Sequence, residues 1–502
     1  MLRETFTENG RVRGTVGTDA RITVYKGIPF ADDTSGKNRW RPPQPAKDWE
    51  GVRDCSEFGP IPFQRVPGRD PEAFYSKEWH VDPEVPMSED CLRANIWTPA
   101  KKTDEKLPVM IWIFGGGLME GYPHEMEFDG ERIASRGVIL VSIGYRLNAF
   151  SQFAHPLLTK EQPEAPGNFA FLDQAYGIAW VKRNIANFGG DPENITIFGQ
   201  SAGAMSVLVQ MCSPKTRGLF QRGIIQSIGG MSPRVPNPMG VLWQSLKEME
   251  DIGVRLFEKL GVTTMEEARA VDARTLCDAW FSLNLFLGPT VDGVFLPKSV
   301  DDTIRDGEMQ DLPFIIGCTK DEFLIHPQGE TDEEVLGWIR GLFGDKADDY
   351  IASLDPALPL KEAASIHYVR LGNELLNVTC AKQGRKFYHY YFCPTIPGDD
   401  AGCFHSSDLW FSFETLMKCW RPFDGHHFDL ARKMCNYWTN FAKNGDPNGN
   451  DKDGTPMPEW RPYTTADQHP MLLGDEVRMA EGPKTRQEQY LLDENVKAYE
   501  ET

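Results

Sequence analysis

A serine flanked by glycines two positions to either side, G-Q-S-A-G at 199–203, follows the apolar run NITIF and precedes the helix-compatible AGAMSVLVQMC. A strand that turns sharply into a helix holds such a serine in a strained backbone conformation and lifts its hydroxyl clear of the sheet. Bulky residues two positions away would clash, which accounts for Gly199 and Gly203. The amides of the helix's first turn have no intrahelical partner, so Ala202 N–H is free for a developing oxyanion. A second element suits the same chemistry. FGGGL at 114–118 follows the apolar run LPVMIWIF, and three successive glycines leave amides unobstructed and free to take positive φ. Gly116 and Gly117 are candidate oxyanion donors beside Ala202. The loop is no phosphate cradle: LMEG stands where G-K-[ST] would follow, and Glu120 stands where a third dinucleotide-loop glycine is needed. The chemistry expected at Ser201 is acyl transfer.

The elements that must position these groups can be read around them. LPVMIWIF (107–114) and GVILVSIG (137–144) are near-continuous apolar runs, as in central strands covered on both faces. LDQAYGIAWVKRNIANFG has helical spacing, and NITIF follows as a third strand. Strand, helix and strand in this order predict a mostly parallel sheet with right-handed crossovers. Further strands are expected at FQRGIIQSI, LPFIIGC and KFYHYYF, with VRGTVG and ITVYKGIPF as edge strands. Amphipathic helices are expected over about 240–285 and 331–384, and NGDPNGNDKDGTPMPEW (444–460) reads as a surface loop. With no repeat and no flexible linker, residues 1–502 are expected to form one domain. Helical insertions are placed at about 232–310 and 331–384, where they would wall a pocket.

Composition narrows the partners. Acidic side chains outnumber basic ones by 73 to 53, which argues against nucleic acid or an anionic membrane surface. No apolar run is long enough to span a bilayer, and MLRETFTENGRVRG lacks a signal-peptide core. A cytoplasmic protein acting on a small molecule, monomeric or weakly homo-oligomeric, is the expectation. Ten cysteines without a CxxC pair are too sparse for a disulfide scaffold. The sequons NITI and NVTC are read as chance. No metal site is expected: His426 and His427 beside Asp424 and Asp429 lack standard zinc spacing and read as a polar surface loop. His389 sits in a strand pattern and reads as core. On the residues alone, His405 is one of ten histidines, and Glu322, Asp321 and Asp292 all remain open as the acid.

The blocks YKGIPFA (25–31), SEDCLRANIW (88–97), MIWIFGGGLMEG (110–121), GNFAFLDQAYGIAWVKRNIANFGGDPENITIFGQSAGA (167–204) and GPTVDGVFLP (288–297) resemble the type-B carboxylesterases, relatives of the cholinesterases. The resemblance runs along essentially the whole chain. It implies an α/β-hydrolase fold, in which a large mixed, mostly parallel sheet is covered by helices on both faces. It also implies a serine hydrolase that cleaves neutral carboxylic esters through an acyl-enzyme and needs no cofactor. The family nucleophile falls on Ser201, the acid on Glu322 in GCTKDEF, and the histidine on His405 in GCFHSSDLWF. The oxyanion donors fall on Gly116, Gly117 and Ala202, and a serine supporting the acid on Ser227. Trp410, Phe411 and Phe413 are implied near the acyl side of the pocket, where aromatic walls would suit small to medium, possibly aromatic, acyl groups. Two acidic positions depart from the pattern: Gln200 precedes the nucleophile and Asp408 replaces a glutamate, which argues against a choline-type substrate. Cys91 lacks the expected bridging partner in GPIPFQRV. The same triad could serve an amidase or carbamate hydrolase, and some relatives have lost the serine and act in adhesion.

Overall fold

The computed structural model describes residues 1–79, 82–228, 232–236 and 242–501; positions 237–241 of the first expected insertion lie outside the described residues. Among the described residues, thirteen strands form one sheet. They are β1 (Glu4–Thr7), β2 (Gly10–Val16), β3 (Thr23–Pro29), β4 (Val52–Cys55), β5 (Arg93–Thr98), β6 (Leu107–Ile113), β7 (Ile139–Ile143), β8 (Gly190–Gln200), β9 (Arg222–Gln226), β10 (Phe314–Thr319), β11 (Phe387–Phe392), β12 (Met471–Leu473) and β13 (Val477–Met479). Their order is β1-β2-β3-β5-β7-β6-β8-β9-β10-β11-β12-β13, with β4 beside β2. From β7 through β12 every neighbouring pair is parallel. The amino-terminal flank, apart from the parallel β2–β4 pair, and the final β12–β13 pair are antiparallel.

The parallel strands are apolar because both faces are covered. All five residues of β7 and all six of β10 are buried. Helix α1 (Phe74–Trp79) lies outside this layer; α2 (Phe169–Asn184) and α3 (Ala202–Cys212) pack directly on it. Every residue of α3 is buried, as expected for the helix that follows the innermost strand. ITVYKGIPF does form β3, but it is interior, between β2 and β5. The strands β1 and β2 precede it as a hairpin and shield it from the edge.

The helices expected over 240–285 and 331–384 are present, and local chemistry starts and stops them. Ser245 with Glu248, Thr264 with Glu267, and Thr331 with Glu334 form reciprocal capping boxes. The helix Leu246–Leu260 ends on Gly261 in the left-handed conformation. Leu256 and Trp280 of this region pack with Trp40 and Phe153 in a second core. Ile339, Tyr350 and Tyr368 share a third core with Leu491 near the carboxyl terminus. His426 and His427 do not sit in a loop. They open the long helix α4 (Gly425–Asn444), which Asp424 caps, because an aspartate followed by a sustained apolar period is a helix start.

Candidate active site

Ser201 occupies the turn between β8 and α3, at φ 58° and ψ −125°. For a side chain other than glycine this is a strained conformation, and the surroundings enforce it. Its amide donates to Gln226 O at 2.9 Å, continuing the β8–β9 ladder past the end of the strand. A Cβ on Gly199 would come within 2.5 Å of the Gly203 carbonyl, and one on Gly203 within 2.1 Å of Ile113 O. Both are backbone contacts that no rotamer relieves, so the spacing of the two glycines follows from the tightness of the turn.

The glycine loop after β6 passes over this turn. A Cβ on Gly115 would meet Gln200 O at 2.8 Å and Ser201 Cβ at 3.2 Å. Gly116 and Gly117 take φ of 100° and 65°, and the Met119 and Glu120 amides both donate to Gly116 O. Gln64, buried, braces the loop: its Nε2 donates to Gly121 O at 2.9 Å, and its Oε1 accepts the Gly121 amide at 2.8 Å. Tyr145 Oη donates to Phe114 O at 2.7 Å. Sequence reasoning missed both braces, since nothing near residue 64 or 145 signals a partner in this loop.

The histidine arrives from the loop after β11 and the carboxylate from the loop after β10, adjacent parallel strands. His405 Nδ1 is hydrogen-bonded to Glu322 Oε2, and Glu322 Oε1 accepts the Thr319 amide at 2.8 Å. Glu322 is 1% exposed. Burial opposes its ionisation, but the charge and hydrogen bond of His405, His367 and the Thr319 amide outweigh burial and hold the carboxyl below its ordinary range. The rivals for the acid are engaged elsewhere. Asp321 accepts the Cys403 amide at 2.8 Å, tying the two loops together. Asp292 accepts the amides of Val294, Phe295 and Leu296.

Gln200 is also brought to the imidazole. Its Nε2 lies 3.2 Å from His405 Nε2. With the Nδ1 proton directed at Glu322, the Nε2 lone pair is the acceptor for this amide. Asp408 is fully buried and does not touch the imidazole. It accepts Gln226 Nε2 and Tyr390 Oη, each at 3.0 Å. Burial pushes its carboxyl up to about 6. Ser227 corrects the expectation attached to it. It follows β9 at φ 61°, its amide donates to Gly317 O at 2.8 Å, and its hydroxyl is not bonded to Glu322, whose Oε1 accepts the Thr319 amide instead.

The aromatic expectation is corrected too. Phe413 packs on Trp112, Phe128 and Phe198, and Phe411 on Phe392 and Phe423. Trp410 donates Nε1 to Glu78. The short helix Leu409–Ser412 and Phe413, which caps its end, turn all three into the core. Rings from distant segments stand at the site in their place. Phe323, at φ 44°, lies 4.4 Å from the His405 ring. Phe286 reaches within 3.3 Å of a Cβ built on Gly117. Tyr75 Oη donates to His405 O at 3.1 Å.

Other histidines have different work. His389 is buried, with Nδ1 3.8 Å from Glu374 Oε1. Potential ligand atoms of Asp424, His426 and His427 lie within 4.8 Å of one another. They already cap α4, since His427 Nδ1 accepts the Asp424 amide and Asp424 Oδ1 accepts the His426 amide. The described cysteines are all free thiols, Cys91 among them. No helix among the described residues is long and apolar enough to cross a membrane.

Comparison with known proteins agrees with this geometry. The model of the carboxylesterase family matches residues 3–337 and 357–491. The chain is 30% identical to a cocaine esterase of Oryctolagus cuniculus, over 96% of this chain and 94% of that one. It is also 30% identical to a fumonisin B1 esterase of Sphingopyxis macrogoltabida, over 95% and 87%. The crystal structure of the Geobacillus stearothermophilus carboxylesterase EST55 superposes with a TM-score of 0.78 at 31% identity, covering 98% of this chain and all of that one. A strained serine under a glycine loop, a histidine bonded to a buried glutamate, and family likeness along the chain lead to one conclusion: this protein belongs to the carboxylesterase family and is a serine-hydrolase-type esterase of the α/β-hydrolase fold.

Proposed function

We propose that Ser201, His405 and Glu322 are the catalytic triad, that the amides of Gly116, Gly117 and Ala202 form the oxyanion hole, and that the substrates are neutral carboxylic esters with small to medium, including aromatic, acyl groups. The observation that carries this reading is the His405–Glu322 bond on loops of adjacent strands, with the imidazole 3.2 Å from Gln200, the residue beside a serine held at φ 58°. With the proton fixed on Nδ1, Nε2 is the basic nitrogen. It gives up the Gln200 amide and takes the Ser201 proton as Oγ attacks the ester carbonyl. The three amides receive the charge on the carbonyl oxygen, each worth about 3–4 kcal/mol in the transition state. His405 then protonates the departing alcohol and deprotonates the water that releases the acid. Glu322 stays ionised and stabilises the imidazolium. The rings of Phe286, Phe323 and Tyr75 support an apolar or aromatic ligand over a charged one.

Free thiols throughout and a fully buried sequon asparagine, Asn377, support residence in a reducing compartment such as the cytoplasm. The test of function is a panel of p-nitrophenyl esters and the matching anilides, run on wild type and Ser201→Ala, with a fluorophosphonate label located by mass spectrometry. Ester turnover that vanishes in the variant and a label on Ser201 are expected. Undiminished turnover by Ser201→Ala would reject the assignment, and anilide turnover matching the esters would reject the substrate class.

A further inference from the structure

Helix α1 has six residues and is far too short to persist on its own. What holds it is a buried carboxylate. Glu78 is 1% exposed and accepts Trp410 Nε1 at 3.0 Å and Trp420 Nε1 at 3.1 Å. Arg421 Nε lies 3.1 and 3.0 Å from its two oxygens, and Arg421 Nη2 lies 2.9 Å away. The Arg421 side chain is wholly buried, and its Nη1 donates to Pro397 O at 3.0 Å and Asp399 Oδ1 at 2.7 Å. The pair therefore joins the strap at 74–79, the corner at 419–421 and the start of the histidine loop.

The strap and the corner converge on residues 404 and 405. The Arg421 guanidinium lies 5.0 Å from the Phe404 ring centroid. Phe74 meets the same ring edge-on at 4.9 Å. Tyr75 Oη bonds the carbonyl of His405 itself. Glu322 holds the imidazole by its Nδ1; the strap holds the same residue by its backbone and by the ring before it.

We propose that the Glu78–Arg421 pair is a positioning element of the active site, which clamps α1 onto Phe404 and His405 and so fixes the imidazole between Glu322 and Ser201. The proposal rests on His405 being the general base. If the clamp opens, the Tyr75 bond and the packing on Phe404 are lost together, and His405 keeps its side-chain bond to Glu322 and the tie of Asp321 to Cys403. Its bond to Glu322 then loosens, the imidazolium is less well stabilised, and proton transfer from Ser201 slows. Substrate contacts at Phe286 and Phe323 belong to other segments and are retained.

The test compares wild type, Glu78→Gln and Tyr75→Phe in kcat, KM, the pH dependence of kcat/KM and the rate of Ser201 labelling by a fluorophosphonate, with thermal melting in parallel. Glu78→Gln is expected to lower kcat and the labelling rate by about tenfold or more, with KM little changed, since small displacements of catalytic groups cost this much. The acid limb of its kcat/KM profile is expected to move to lower pH. Tyr75 is 44% exposed, so Tyr75→Phe should melt as wild type does. It should show the same changes in smaller degree, and it serves alone should Glu78→Gln fail to fold. Wild-type kcat and an unmoved acid limb in Tyr75→Phe, or in a folded Glu78→Gln whose only defect is a lower melting temperature, would overturn the proposal. Ser201→Ala in the same series separates the two readings: its undiminished activity would defeat the triad, whereas its inactivity beside fully active strap variants would defeat the clamp alone.

Discussion

Replacing Gln200 by glutamate tests the electrostatics of the proposed general base, His405. Gln200 is 3% exposed, and its amide nitrogen lies 3.2 Å from His405 Nε2. A carboxylate of the same shape places a negative charge at about that distance from the imidazole. At an effective dielectric of about 20, the attraction to imidazolium is about 5 kcal/mol. The cost of burying the new carboxylate falls on both states of the imidazole and cancels in the comparison; a third to a half of the attraction, about 1.7–2.5 kcal/mol, already raises the imidazole by about one to two pK units. The histidine then stays protonated to higher pH and cannot act as a base there. The acid limb of kcat/KM for a p-nitrophenyl ester, followed from about pH 5 to pH 9, should therefore move up by about one unit or more. Melting temperatures confirm that the variant is folded. An acid limb that stays where wild type has it would show that residue 200 does not face the base, and the account of how the imidazole is oriented would fall with it.

Further outcomes follow from packing and burial. Gly203→Ala drives a Cβ to 2.1 Å from Ile113 O and 2.8 Å from Phe114 O; it should destabilise by about 1–3 kcal/mol or more and abolish ester turnover. Gly337, helical with open space around its Cα, is the contrasting case: Gly337→Ala should stabilise by about 0.5–1 kcal/mol and leave turnover unchanged, both read from denaturation and a single-ester assay. Asp408 titrates at about 6 in the fold against an ordinary 3.8, so wild type holds that stability below the lower value and loses it as pH rises through the upper one. The stability of Asp408→Asn relative to wild type should accordingly improve by about 1.4 kcal/mol between pH 5 and pH 8, measured by denaturant unfolding at both; a difference independent of pH would contradict the buried carboxyl. Arg146 and Asp173 form an ion pair at 2.6 Å with almost no exposure. Asp173→Asn should cost about 3–5 kcal/mol, seen as a lower unfolding midpoint.

What could be read in the sequence was whatever depends on neighbours along the chain. The turn at Ser201 needs glycines at 199 and 203 because the clashes involve backbone within and just below that turn, and a local pattern reports a local constraint. The central strands were legible because double burial leaves no polar face. The pairing of His405 with Glu322 spans 83 residues, and family likeness rather than residue type selected both. Phe411 and Phe413 were misplaced because closeness to His405 in sequence does not fix which way a four-residue helix turns its side chains. Phe286, Phe323, Gln64 and Glu78 were not legible at all. Each matters through a partner far along the chain, and an isolated phenylalanine, glutamine or glutamate carries no mark of it.

The contact between Glu78 and Arg421 spans 343 positions. Synthesis runs from the amino terminus, and contacts so distant in sequence form late. On the proposed triad, a ribosome that has made the turn at Ser201, the glycine loop and even Glu322 has made a protein unable to cleave an ester, because His405 and the Arg421 corner proposed to steady it are made only after residue 400. Hydrolytic activity during translation is thus expected to appear late, and any fragment that stops short of residue 405 is expected to be silent toward esters.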